Sequence, residues 1–162
     1  MTHSAAPPAP SSGTRIRLLT GNDLDAVVAI DKAVSGRLRR GFYEKRLAHL
    51  AREPSAFVAL GADRDGKLVG FVFARLYEGE FGGRVPEAAL DAIGVASDAR
   101  HQGIGSKLVD GMMAAMRSHG VTEIATETDW TDTDLTGFFA EAGFSLAPRT
   151  VLERAVGRAS GR

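Results

Sequence analysis

The chain has 162 residues, 44% of them hydrophobic and 25% charged, a length and mix suited to one compact domain that can bury a core. Twenty Lys and Arg balance twenty Asp and Glu, so no global field favours nucleic acid or an anionic membrane surface. The absence of cysteine excludes disulfides, thiolate metal sites and a cysteine nucleophile, and fits a reducing cytoplasm.

Residues 1–13, rich in Ala, Pro and Ser, read as a disordered tail without the basic start and apolar run of a signal peptide. A folded domain is expected over 14–157, with a flexible tail at 158–162. No stretch approaches the roughly 20 apolar residues of a membrane-spanning helix.

Arg15 to Leu19 alternates basic and apolar residues, which predicts a strand with one buried face. Asn22 or Asp23 can cap a helix whose stripe is Leu24, Val27, Val28 and Ile30, running toward Ser35-Gly36. A second helix follows, with Phe42, Leu47 and Leu50 on its apolar face and Pro54 marking its end. Ala56 to Leu60 and Lys67 to Tyr77 are β-rich runs joined through Asp65-Gly66, a hairpin signal that makes them antiparallel. Glu78 to Pro86 reads as a loop and Ala88 to Val95 as the next strand.

Ile104, Leu108, Val109, Met112 and Met116 recur at helical spacing up to Gly120, a left-handed cap, so the methionines belong to the core. Val121 to Thr128 is the next expected strand. Asp132 or Thr133 then caps a short helix with Leu135, Phe138, Phe139 and Ala142 inward, stopped by Gly143. Phe144 to Leu146 and Thr150 to Arg154 are read as a last pair of strands. The order implies an α/β fold in which helices flank a mixed sheet.

Between the strand that ends at Val95 and the helix that starts near Ile104 lies Arg100-His101-Gln102-Gly103-Ile104-Gly105-Ser106-Lys107. First-turn amides of a helix lack intrahelical acceptors, and the helix dipole adds positive potential. Gly103 and Gly105 let a phosphate approach the backbone, with Arg100 and Lys107 as nearby charges. The segment lacks the Gly-Lys-Ser/Thr spacing of a Walker loop, and Leu108 stands where a dinucleotide fingerprint needs a third glycine.

This segment resembles the acetyl-CoA signature of the GNAT superfamily of N-acetyltransferases, Arg/Gln-x-x-Gly-x-Gly/Ala after a strand ending in Val, with Val95 five residues before Arg100. Leu135 to Phe144 looks like the family's later helix ending in Gly-Phe, and the resemblance runs over roughly residues 14 to 155. It implies a mixed, mostly antiparallel sheet of about seven strands, with a splayed cleft between the fourth and fifth. It also implies acetyl-CoA as cosubstrate and an amine as acceptor. Ile93 and Val95 would offer backbone groups to pantetheine, and the amides of Gln102, Gly103, Ile104, Gly105 and Ser106 would hold the pyrophosphate. Gly137 either admits the cofactor closely or packs loosely against a neighbour.

Asp91 occupies the position where many family members carry a glutamate, four residues before Val95, and is the candidate general base. The competing reading is a solvated or salt-bridged aspartate. Phe139 stands where the family's proton-donating tyrosine is usual, leaving Tyr77, Tyr43 or water as acid, or else a non-catalytic acyl-CoA-binding module. Trp130 is a candidate acceptor-pocket residue, against a plain packing role. Glu127, Asp129, Asp132 and Asp134 either draw a cationic substrate or serve capping and solubility. Arg37, Arg39, Arg40 and Arg46 form a basic patch for the acceptor, for the 3′-phosphate of CoA, or simply a solvated helix face. The four histidines show no metal-ligand spacing, so no metal is expected. Neither nucleic acid nor membrane is expected as a partner, and edge strands near Thr150 to Arg154 leave room for a homodimer.

Overall fold

The computed structural model describes residues 13–77 and 87–157, so the expected tails and the Glu78 to Pro86 loop lie almost wholly outside the described residues. Two compact units are distinguished, one ending at Glu127 and one beginning at Thr128.

The first unit contains β1 (Arg15–Leu18), α1 (Leu24–Ser35), α2 (Arg40–Arg52), β2 (Phe57–Arg64), β3 (Lys67–Tyr77), β4 (Glu87–Val95), α3 (Ile104–Ser118) and β5 (Ile124–Ala125). The strands form one sheet in the order β1-β2-β3-β4-β5, antiparallel throughout except for the parallel β4–β5 pair. Asp65 and Gly66 both take positive φ, 51° and 76°, the paired left-handed geometry that a two-residue hairpin between β2 and β3 requires. The strand alternation sends Ala59, Phe71 and Phe73 to one face, where Val27, Val28 and Ile30 of α1 and Tyr43 and Leu47 of α2 close over them. The opposite face carries α3, whose Ile104 and Leu108 side chains reach Gly70 of β3.

Asp23 does not cap α1 with its side chain. It accepts instead from Arg17 at 2.8 and 2.9 Å and from the Thr20 amide at 2.8 Å, while Arg17 also donates to Asp63 at 2.7 Å. The Arg17 guanidinium holds the Asp23 carboxyl below the ordinary aspartate value. An ion-paired knot thus ties β1, β2 and the entry to α1.

The second unit is built on α4 (Thr133–Glu141), capped as expected by Asp132, which accepts from the Leu135 amide at 3.0 Å. Phe139 is buried and packs against Phe138 and Phe144. The expectation of about seven strands is not met among the described residues. Phe144 to Leu146 and Thr150 to Arg154 have no ladder partner, and Leu146 and Leu152 are exposed. The run from Val121 to Thr128 pairs only at Ile124–Ala125, so five strands are formed among the described residues.

Candidate active site

β4 determines the geometry of the site. Its pairing with β5 is limited to Ala88 with Ile124 and Ala89 with Ala125, followed by one hydrogen bond from Thr126 Oγ1 to the Leu90 carbonyl at 3.1 Å. Beyond Leu90 the β5-facing edge of β4 has no strand partner among the described residues. Ile93 and Val95 lie on this stretch, paired on the other side to Val72 and Gly70 of β3.

Two bulges set the ends of the stretch. Opposite consecutive residues Phe73 and Ala74 of β3 stand Ala92 and Leu90, so Asp91 is an extra residue in β4. The β2–β3 ladder skips Val69 in the same way, and the Val69 carbonyl accepts from Ala96 at 2.8 Å, fixing where β4 gives way to the loop.

The loop passes through a short turn at Ser97–Ala99, braced by Gln102 Nε2 donating to the Asp98 carbonyl at 3.3 Å. His101 and Gly103 then adopt φ of 59° and 74°; the glycine does so without a Cβ penalty, and the histidine is an uncommon non-glycine in that region. The first backbone bond of α3 runs from the Lys107 amide to the Gly103 carbonyl at 3.0 Å, which leaves the amides of Ile104, Gly105 and Ser106 ahead of it without intrahelical acceptors. A Cβ placed on Gly103 would meet nothing within 4 Å, so the loop faces open space. The side chains of Arg100, Gln102, Ser106 and Lys107 are exposed, and Arg100 Nε reaches back to the Val95 carbonyl at 3.5 Å. The loop thus combines backbone donors without intrahelical acceptors, exposed basic side chains and open space beside Gly103.

Asp91 is neither solvated nor singly paired. Its side chain is 9% exposed, and its Oδ2 receives Arg75 Nε at 2.7 Å and an Arg46 terminal nitrogen at 3.1 Å. Neither arginine forms a hydrogen bond to the other oxygen, Oδ1, among the described residues. The bulge is the cause: inserting Asp91 breaks the alternation and turns its carboxylate toward the α1–α2 face, where Arg75 follows Phe71 and Phe73 along β3. Arg46 lies over the Phe42 ring and Arg75 over the Tyr77 ring, each 5.0 Å from the centroid. Arg46 was read in the sequence only as one member of a basic patch, and Arg75 was not singled out. The available signal was an arginine on an inward strand register, and another at i+4 from Phe42 on an apolar helix stripe.

The basic patch accordingly dissolves into separate ion pairs. Arg39 engages Asp31, and Arg40 reaches Asp25 at 2.8 Å and Glu44 at 3.0 Å. Tyr43 is fully buried against Phe42, Phe71 and Phe73, and burial pushes its phenol above the ordinary tyrosine value, so it is no proton donor to an open cleft. Tyr77 is at the surface, opposite Glu87 on β4. Trp130, in the second unit, is 89% exposed. Gly137 has nothing within 4 Å of a built Cβ, so close packing against a protein neighbour does not explain it. Asp129 accepts from Thr131 and Asp132 caps α4, local uses that account for half of the acidic cluster. Among the described residues no group of three or more His, Asp or Glu is arranged to hold a metal, and no helix is long and apolar enough to cross a membrane.

A mixed sheet whose fourth strand is released on one edge and runs into a glycine-opened helix N-terminus is the architecture of an N-acetyltransferase. The chain belongs to the acetyltransferase (GNAT) family, whose profile matches residues 28–144. The fold is shared with the aminoglycoside N-acetyltransferase AAC(6')-Iy solved with CoA, at 20% identity and a TM-score of 0.70 over 94% of this chain and 100% of that one. It is shared equally with ribosomal-protein-alanine N-acetyltransferase from Brucella melitensis biovar Abortus 2308, at 23% identity and 0.71 over 90% and 100%. Glucosamine-6-phosphate N-acetyltransferase from Arabidopsis thaliana aligns at 14% identity and 0.71 over 88% and 98%. At these identities the likeness is one of fold. No curated protein sequence matches the chain.

Proposed function

We propose that this protein moves an acetyl group from acetyl-CoA directly to a primary amine, in a ternary complex and without a covalent enzyme intermediate. The observation that carries the reading is the continuity of two binding surfaces, the unpaired edge of β4 and the open amides of the α3 N-terminus. Acetyl-CoA supplies an activated thioester. The amides of Gln102 to Ser106 take its pyrophosphate, Arg100 and Lys107 add charge, and the edge at Ile93 and Val95 pairs with the pantetheine amides. Asp91 stands four residues up the strand from Val95, roughly 13 Å at the usual rise, a separation that supports its carboxylate serving the thioester end of an arm laid along β4.

In this reading Asp91 Oδ1, the oxygen without a guanidinium, draws a proton from the acceptor ammonium through water. The freed nitrogen lone pair attacks the thioester carbon, the nitrogen gives up its second proton to solvent, the C–S bond breaks, and the departing thiolate of CoA takes a proton from solvent, since Phe139 offers none. A backbone N–H of the β4 edge polarises the carbonyl. The enzyme works in the cytoplasm, in keeping with a chain without cysteine.

The test is calorimetric titration of acetyl-CoA into wild type and Gly103→Pro, followed by thiol release over an amine panel. Proline cannot adopt the φ of 74° found at Gly103, so the variant should lose binding while keeping its far-UV circular dichroism. Binding by wild type with no thiol release from any amine would turn the reading to a non-catalytic acyl-CoA-binding module. No binding by folded wild type would remove the cofactor site altogether.

A further inference from the structure

Asp91 is outnumbered. Two guanidinium groups, Arg46 and Arg75, converge on one of its oxygens, and among the described residues no other carboxylate pairs with either. The nearest comparable group, Arg39, sits 5.8 Å over the same Phe42 ring that Arg46 covers, and it is matched by Asp31. One positive charge is therefore left over on the α1–α2 face, next to the bulge of β4. It is also accessible: Arg46 and Arg75 keep 20% and 32% of their side chains exposed, against 9% for Asp91.

The rings sharpen the arrangement. Phe42 backs Arg46 and Tyr77 backs Arg75, so one face of each guanidinium is shielded from water. A stacked guanidinium retains its in-plane N–H donors and is weakly hydrated, which suits it to the planar, two-point recognition of carboxylate or phosphate. Arg75 spends only Nε on Asp91, and its two terminal nitrogens make no hydrogen bond within the described residues. A structural ion pair needs one arginine; the second, held at the same oxygen with donors to spare, is what a ligand anion would use.

We propose that Arg46 and Arg75 form an anion subsite for the acceptor, and that the preferred acceptor is a small amine carrying a carboxylate or phosphate close to its nitrogen. The inference rests on the acetyl-transfer reading above and names its substrate class. The anion would bridge the free donors of the two arginines, leaving the ammonium beside Asp91 Oδ1. One carboxylate would then serve both to orient the arginines and to face the amine. A polycationic acceptor would meet the surplus positive charge and be disfavoured.

The experiment is calorimetry on the full chain saturated with CoA, titrated with matched amines: each common amino acid against its carboxamide, and phosphoethanolamine against ethanolamine. The CoA complex cannot turn over, so failure of catalysis does not enter; catalysis is read separately as thiol release from acetyl-CoA. At least one anionic amine should bind about ten-fold or more tightly than the matched amine that lacks the anion, the worth of a charge-assisted pair. The carboxylate and phosphate arms show which anion fits. Arg75→Gln should abolish that advantage without changing CoA affinity, and Arg75→Lys, which keeps a cation beside Asp91 and so guards against misfolding, should lose most of it. Equal affinity within every pair, no binding by any anionic member, or an advantage that survives both variants would overturn the proposal, even if thiol release with other amines upheld acetyl transfer.

Discussion

Gly94 is the residue at which the packing of β4 is most directly tested. A Cβ there would lie 2.8 Å from Phe71 Cε1, 3.2 Å from Phe71 Cζ and 3.2 Å from Ile30 Cγ2. Phe71 cannot swing aside, because it is fully buried with Tyr43 at 5.6 Å and Phe73 at 6.1 Å between ring centroids. Overpacking a filled core by one carbon costs about 1–3 kcal/mol, against a gain of about 0.5 kcal/mol from replacing a strand glycine. Gly94→Ala should therefore destabilise by about 1–2 kcal/mol, a fall in Tm of about 3–8 °C for a chain of this size. Thermal and urea unfolding followed by circular dichroism measure it, with Phe71→Leu and the double variant completing a cycle. Because leucine removes the ring atoms that collide with the new methyl, the double variant should be more stable than the sum of the single losses by about 1 kcal/mol. Strict additivity, or a Gly94→Ala protein as stable as wild type, would show that β4 is not pressed against the aromatic cluster in this way.

The Arg17–Asp23–Asp63 knot predicts the acid limb of stability. Asp23 has a lowered folded value, so its contribution is complete above its unfolded pKa of about 3.9 and is lost as pH falls through the folded value; Asp23→Asn should flatten the stability profile below about pH 4. Tyr43 predicts the alkaline limb: its raised value means that stability is full below the unfolded pKa of about 10 and is lost above it, so a tyrosinate absorbance titration should show Tyr43 ionising late, and Tyr43→Phe should remove that step. Gly137→Ala, inside α4 with no atom within 4 Å of the new methyl, should stabilise that helix by about 0.5–1 kcal/mol, read as slower amide exchange in residues 133–141. Trp130, 89% exposed, should emit like free indole and be quenched by iodide, with Trp130→Ala unchanged in Tm to within about 0.5 kcal/mol of stability.

What the sequence disclosed, it disclosed through local chemistry. The Asp65-Gly66 turn, the Asp132 cap and the left-handed Gly120 each require only a few neighbouring residues, and each is where the pattern places it. The glycine-opened loop before α3 is legible for the same reason, because donors, turn and charge all lie within eight consecutive residues. Strand bounds that depend on a distant partner were less readable. The run from Val121 to Thr128 is rich in β-branched residues, yet among the described residues only Ile124 and Ala125 find a ladder, since the β4 pairing ends at Ala89. The segments from Phe144 and from Thr150 have β-forming residues, but the described structure gives them no edge to join. The environment of Asp91 was hidden most fully. Its partners lie 16 positions upstream on β3 and 45 upstream on α2, separations that no periodicity reports.

The bulge at Asp91 connects these observations. Strict alternation along β4 would set Ala92 and Leu90 on one face and send Asp91 to the other, toward α3 and its apolar row of Ile104, Leu108 and Met112. A lone carboxylate there would be costly to bury. One inserted residue avoids that cost by giving Asp91 the α1–α2 face, where Arg75 is already in register and Arg46 descends from α2. The same insertion increases the local twist of β4, and the pairing with β5 ends next to it, at Ala89 and Ala125. The open edge proposed for the cofactor arm and the charged pocket proposed for the acceptor thus have a common cause. Deleting Asp91, unlike replacing it, should restore the ladder and disturb both at once: acetyl-CoA affinity would fall along with acceptor binding, whereas Asp91→Asn should leave acetyl-CoA affinity near wild type. Calorimetry on the two variants separates the backbone effect of the bulge from the charge it carries, and equal acetyl-CoA affinity in both would break the link between them.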